Sequence, residues 1–409
     1  MNRPRVRQSV IAAFGVIAVG AALLVALSGW GAAAPSDAVQ GNTTPGARAY
    51  VVVDTGQSEC YDDFGRVIEP RPGERFYGQD AQYRGPQPAY RDDGDGTVSD
   101  LNTGLMWQKA PGPKVTWRQA ASGATALRLG GQADWRLPTI QELYSLIEFS
   151  GWTGLSAEDS KPYLDTRYFD FQYGNTDAGE RFIDAQYWSA TEYVGTTMHG
   201  NPTVFGVNFA DGRIKGYPKQ LPGGHMHHMF ARYVRGNPRY GVNDFVDNHD
   251  GTITDRATGL MWQQGDSGRG LNWEEALAYA EGLELAGQDD WRLPNAKELQ
   301  SSVDYTRAPS VTGTAAINPV FRVTDNELWH WASTTHLDGP PDRRGDAAVY
   351  VCFGRAFGFM WGQWLDVHGA GAQRSDPKRG DPALFPYGRG PQGDQIRIYN
   401  HVRCVRAGT

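Results

Sequence analysis

One pattern occurs twice, and it fixes most of what this chain can fold into. DDGDGTVSDLNTGLMWQ runs from Asp92 to Gln108, and DNHDGTITDRATGLMWQ from Asp247 to Gln263. Each is followed by a segment opening on a Trp, and then by a second block. That block is DWRLPTIQEL (Asp134–Leu143) in one case and DWRLPNAKEL (Asp290–Leu299) in the other. Trp107 and Trp262 are 155 positions apart, and Trp135 and Trp291 are 156 apart. Two long blocks at nearly one spacing mean two copies of one unit, with a period far above that of solenoid repeats.

Within each unit, TVS and GLMWQ read as short strands joined by Gly- and Asn-containing turns. Thr116-Trp117-Arg118-Gln119 is a capping box, and Trp117, Ala120, Ala121, Ala124 and Leu127 recur behind it at helical spacing. Gly130-Gly131 is the expected stop. Thr139-Ile140-Gln141-Glu142 opens a second helix, expected to run through Phe149. Asn272-Trp273-Glu274-Glu275 and Asn295-Ala296-Lys297-Glu298 repeat both starts. Strands at YWSAT (Tyr187–Thr191), TVFGVNFADGR (Thr203–Arg213) and ARYVRG (Ala231–Gly236) are echoed by WHWAST, AVYVCFGR and HVRCVRAG. Each unit therefore reads strands, two helices, long loops, strands. The class is α+β, with one domain at 86–236 and another at 243–409. The 51 Gly, 24 Pro and 12% aromatic residues suit a loop-rich fold with Trp-based cores.

The N-terminus reads as an export signal. Arg3, Arg5 and Arg7 precede an apolar run from Val10 to Leu27, and Ala32-Ala33-Ala34 offers a cleavage pattern. Residues 1–34 are thus a signal peptide, or an anchor that keeps engaging the membrane after export. Residues 35–49 are a linker. Residues 50–85, with a strand expected at VVVDTG, form an arm expected to pack on the first repeat. Removing residues 1–34 takes away three Arg and no acid, which makes the formal charge of −7 three units more negative. An acidic exported protein is a poor nucleic-acid binder. In an oxidising compartment, Cys352 in VYVCF and Cys404 in NHVRCVR are the expected disulfide, as neighbouring strands of one sheet, with Cys60 left over.

The strings DGTVSDLNTGLMW, DWRLPTIQEL, YWSAT and RYVRG, with their second copies, resemble the Lcl C-terminal domain family. The resemblance covers both repeats. It implies tandem C-type-lectin-like domains, an exported protein, and adhesion or ligand binding, in a family with no assigned activity. A relative, a collagen-like adhesin, is associated with sulfated glycosaminoglycans. This chain departs from that adhesin in lacking a collagen-like repeat and in being acidic. The lectin sugar signatures EPN, QPD and WND are absent.

Three stretches offer chemistry. Asp93, Asp95 and Asp100, repeated as Asp247, Asp250 and Asp255, set hard oxygen ligands on a turn, and calcium is the cofactor they would suit. The competing reading has these carboxylates capping backbone N–H groups in hairpin turns. His225, His227 and His228, with Met226 and Met229, place imidazole and thioether ligands of the kind copper takes on a Gly-flanked loop. Residues 368–397 read as one long loop in which Arg374, Lys378, Arg379, Arg389 and Arg397 would grip carboxylate or sulfate, with Trp361 and Trp364 as a stacking face. The WRLP block reads instead as framework, with Arg136 and Arg292 pairing with Glu142 and Glu298. A GDSG string at 265–268 and a GxGxxG string at 388–393 lack the context their enzyme families require.

The leading expectation is a non-enzymatic exported binding or adhesion protein that takes a glycan or an extracellular protein partner. The alternatives are an envelope or extracellular assembly protein, and an enzyme on a lectin-like scaffold. Function is expected where the copies differ, in the His-Met loop of the first and the Arg-rich stretch of the second.

Overall fold

The computed structural model describes residues 48–221 and 223–408. The signal segment 1–34 and nearly all of the 35–49 linker lie outside the described residues. Among the described residues, no helix is long and apolar enough to cross a membrane. The described residues form one compact unit.

The fold is β-rich, with short helices and several small antiparallel sheets. In the first half, β1 (Tyr90–Asp92), β2 (Thr97–Asp100) and β3 (Leu105–Gln108) lead into α1 (Trp117–Ala126) and α2 (Ile140–Ser145). Three long strands follow, β4 (Gln186–Thr197), β5 (Asn201–Asn208) and β6 (Arg213–Pro218), and then β7 (Val234–Gly236). The second half repeats the order with β8 (Phe245–Asp247), β9 (Thr252–Asp255), β10 (Leu260–Gln263), α3 (Trp273–Glu281), α4 (Ala296–Ser301), β11 (Trp329–His336) and β12 (Ala347–Cys352). It then inserts a hairpin, β13 (Phe357–Met360) and β14 (Gln363–Asp366), before β15 (Gln373–Pro377) and β16 (Val405–Ala407).

All four capping boxes form. Thr116, Thr139, Asn272 and Asn295 each accept a hydrogen bond from the backbone N–H three residues on, and each N3 Gln or Glu reaches back. The helices end sooner than their periodicity predicts. At α2, Leu146 and Ile147 donate to carbonyls three residues back, so the last turn tightens and stops short of Phe149. At α1, Gly130-Gly131 is a hairpin turn with both residues at positive φ, and Leu129 and Gln132 pair across it. The second half makes the same turn with Ala286-Gly287.

The WRLP block is framework. Arg136 makes a two-pronged contact with Glu142 and Arg292 with Glu298, all four bonds at 2.5–2.7 Å. Asp134 and Asp290 hold Arg235 and Arg406 beside the closing strands. Arg232 and Arg403 are fully buried with no carboxylate partner among the described residues, and donate to backbone carbonyls around Gln108 and Gln263 instead. Trp107 and Trp262 sit at most 1% exposed in one core that runs through both halves.

The halves are joined by a six-stranded sheet in the order β11-β12-β15-β6-β5-β4. The order is palindromic, since each half contributes three strands and the third strands meet at the centre. There Gln373 pairs antiparallel with Ile214. GRIKGYPK (Gly212–Lys219) and GAQRSDPK (Gly371–Lys378) align at a fixed offset of 159 positions, so Ile214 pairs with its own counterpart. The junction therefore lies on a pseudo-two-fold axis. Side chains also cross it: Tyr163 donates to the Leu337 carbonyl at 2.6 Å, and Tyr193 donates to Asp366 at 2.8 Å.

Three expectations need correcting. The strand expected at Val51–Gly56 joins no ladder; Asp54 N–H donates to the Pro86 carbonyl and the Thr55 carbonyl accepts from Phe149 N–H instead. The arm does touch the first repeat there, but most of its side chains engage the second. Phe76 packs beside Trp273, Arg75 pairs with Glu274, Tyr83 donates to Glu281, and Asp80 accepts from Thr334. The disulfide does not form: Cys60, Cys352 and Cys404 are free and buried. Cys352 ends a strand of the six-stranded sheet, whereas Cys404 precedes the edge strand of a separate four-stranded sheet. They are not on neighbouring strands, and both pack in the apolar cluster around Trp273 and Trp331.

Candidate functional site

β6 and β15 run side by side at the junction, and strand alternation divides their side chains between two faces. Ile214 and Gln373 are fully buried on one face. Arg213, Lys215 and Arg374 rise from the other and floor a cleft of about 890 Å³. Tyr217 and Tyr350 lie on this floor, with Asp211, Asp338, His368 and Asp394 around it. The His-Met loop borders one side through Met226, His227 and His228, and Arg389–Gln392 borders another. Both stretches in which the copies differ thus meet at one cleft, one from each half.

The floor is densely charged. Lys215 Nζ donates to Asp211 Oδ2 at 2.9 Å. Arg213 bridges the halves, donating to Asp338 at 2.5 Å and to Ser375 Oγ at 3.0 Å. Asp394 takes His368 Nε2 at 2.8 Å on one oxygen and Arg374 on the other. Burial is the largest influence on Lys215. With the Arg374 and Arg213 charges it outweighs the pull of Asp211 and pushes the ammonium pKa down to about 8. Burial, then the Arg213 charge, also lowers the Arg374 guanidinium. Burial alone would raise Asp211, but the Lys215 and Arg213 charges reverse this and hold the carboxyl below its usual range. His368 is held well below its usual value by burial and then by Arg374 and Lys215, so its imidazole is neutral. Several polar atoms here have no partner among the described residues: Arg374 Nε and Nη1, the Tyr217 hydroxyl, Asp211 Oδ1 and His368 Nδ1. An unpartnered buried group costs about 1–3 kcal/mol, so this floor is built to receive polar atoms from a ligand or from water.

The residues singled out in the sequence separate into groups. Arg374 lies on β15 rather than in a loop, because 368–397 contains that strand. Arg374 and Arg389 line the cleft. Lys378 is buried and bonds to Tyr61 O, Asp62 O and Thr335 Oγ1, with its ammonium 4.1 Å from the Trp273 ring. Its counterpart Lys219 covers Trp117 in the same way at 3.8 Å, so this is a framework position. Arg379 is an exposed partner of Asp63, over Phe64. Arg397 lies over Trp329 and donates to the Glu327 carbonyl. Trp361, 62% exposed, turns the β13–β14 hairpin at positive φ and stacks on His199, while Trp364 packs against Phe359 on the same hairpin.

The aspartate turns hold themselves together. Asp95 accepts from Thr97, Asp93 from Ser99, Asp100 from Asn102 and Thr103, Asp247 from His249, Asp250 from Thr252, and Asp255 from Asp244, Ala257 and Thr258. His227 and His228 are bonded to the carbonyls of Pro218 and Met226, and His225 is exposed. Among the described residues, no three His, Cys, Asp or Glu side chains converge as a metal site would require.

Asp211, Arg213, Lys215, Tyr217, Asp338, Tyr350 and His368 line the cleft without belonging to any sequence motif. The GRIKGYPK/GAQRSDPK alignment carries the signal that would have found Lys215, since it sets that residue opposite Arg374.

Each half opens on the same aspartate turn and Trp strand and closes on an Arg-bearing strand. The chain belongs to the Lcl C-terminal domain family, whose sequence profile matches residues 96–235 and 251–364. No curated protein and no solved structure matches the chain.

Proposed function

We propose that this is an exported, non-enzymatic binding protein, built from two C-type-lectin-like units, whose ligand sits in the cleft between them and is a glycan of a cell surface or matrix. One observation carries the reading. The two stretches that break the internal repeat, separated by well over a hundred residues, border the same cleft, while the repeated motifs are spent on caps, turns and ion pairs. Concave sites with a few convergent polar groups are the usual form of a ligand pocket. Tyr, Arg, Asp and His on one floor match the hydroxyl pattern of a sugar. Export rests on the N-terminal segment, and the lectin-like reading on the family and on the order of elements in each half.

The test is a glycan panel probed with the purified protein, with and without calcium. Saturable binding that cleft substitutions abolish is expected in both conditions. Binding to no member, or binding indifferent to cleft substitutions, would overturn the assignment. Cell fractionation checks the address, with the protein expected in the envelope or medium rather than the cytosol.

A further inference from the structure

Pseudo-symmetry places like charges together. Lys215 and Arg374 are counterparts, each one residue past the pair that meets on the axis, and both face the cleft with Arg213 beside them. Asp211 and Asp338 already serve Arg213 and Lys215, and Asp394 is shared between His368 and Arg374. Arg374 keeps Nε and Nη1 unpartnered although the residue is only 9% exposed, and the neighbouring Tyr217 hydroxyl is an unused donor. Burying like charges side by side is unfavourable, and an anion placed against them relieves both the repulsion and the orphaned donors. Arg also suits a planar oxyanion better than a neutral hydroxyl.

We infer that the cleft contains an oxyanion seat on the pseudo-two-fold axis, formed by Arg374, Lys215 and Tyr217, which takes the carboxylate of an acidic sugar. The inference rests on the cleft being the ligand site, and it narrows the ligand to one that bears a carboxylate. Asp211 and Asp394 remain in place, so the seat accepts one planar anion and disfavours a run of them. A polysulfated chain would bring repeated charge against those carboxylates.

Two measurements separate the parts. In the first, the protein meets a glycan panel with neutral, carboxylated and sulfated members. Carboxylated members should bind, and Arg374→Gln or Lys215→Gln should weaken them about 10- to 100-fold, the worth of one charge-assisted hydrogen bond. In the second, sodium glucuronate, its methyl ester and glucose are each tested for raising the thermal midpoint. Only glucuronate should do so, and not in Arg374→Gln. A circular dichroism spectrum matching wild type establishes that each variant is folded. If glucuronate stabilises the protein through Arg374 but no glycan binds, the seat stands and the glycan reading falls. If neutral or only sulfated glycans bind, Arg374→Gln leaves them unchanged and substitutions elsewhere in the cleft abolish them, the seat is wrong while the cleft reading survives. If glucuronate and its methyl ester act alike, the carboxylate assignment is overturned.

Discussion

At the scale of single residues, the strained positions are informative. Ala286 sits at φ +53°, where its counterpart Gly130 sits at +56°. It is exposed, so replacing it removes no packing. Ala286→Gly should stabilise the protein by about 1 kcal/mol, since a left-handed conformation costs an L-residue about that much. Chemical denaturation measures it, and a destabilised variant would mean that this turn is not what its geometry indicates. The thiols make a second test. Burial pushes the Cys60 thiol up to about 11 and raises Cys352 and Cys404 further, so none is a ready thiolate. A thiol reagent should label no cysteine in the native protein and all three after unfolding. Fast native labelling of Cys60 would reopen the enzymatic alternative. The expected Cys352–Cys404 disulfide was misplaced because strand-like character at the two positions does not say which sheet each strand joins.

Elements carry the stability. The Arg136–Glu142 contact pins the start of α2 to the segment before it, and Glu142 is 2% exposed. Arg136→Met would strand that carboxylate and should cost about 2–3 kcal/mol, at the low end for a broken buried pair because Arg136 is itself partly exposed. Adding Glu142→Gln removes the stranded charge and keeps the cap, so the double variant should recover most of the loss. If it recovers none, the pair is not what fixes the helix. Helix starts, Trp faces and both Arg–Glu contacts were readable in sequence, because capping and helical spacing are local rules. Helix ends were not, because tertiary contacts around Leu146 and the Gly130-Gly131 turn decide them. The 368–397 stretch read as loop because Gly and Pro dominate it, and β15 is ordered only by pairing with β12 and β6.

For the whole molecule, the sequence repeat does not say how its two halves meet. Pairing of β6 with β15 depends on which strand edges are left open, and no local pattern encodes that. The cleft was half visible, through Arg374, Arg389 and the His-Met loop, and half hidden in β6. The junction also predicts a pH dependence. The Lys215 ammonium faces Asp211, Arg213, Arg374, Asp338 and His368, and burial lowers its pKa from 10.5 to about 8. Its charge is present below pH 8 and lost above. Affinity for an anionic ligand should therefore be full at pH 7 and fall as pH rises through about 8, and Lys215→Gln should flatten the profile. Calorimetric titration across pH 6.5–9.5 follows this, and an unchanged profile in the variant would remove Lys215 from the site.

The most direct test sets the cleft against the surface. Equilibrium binding of one glycan hit from the panel is measured for wild type, Arg374→Gln and Arg379→Gln. Both arginines come from the same stretch of sequence, but only Arg374 lines the cleft. Arg374→Gln should lose at least about tenfold in affinity, as expected for a charge-assisted contact, while Arg379→Gln binds like wild type. Equal losses in both variants, or a loss only in Arg379→Gln, would contradict a ligand site between the halves.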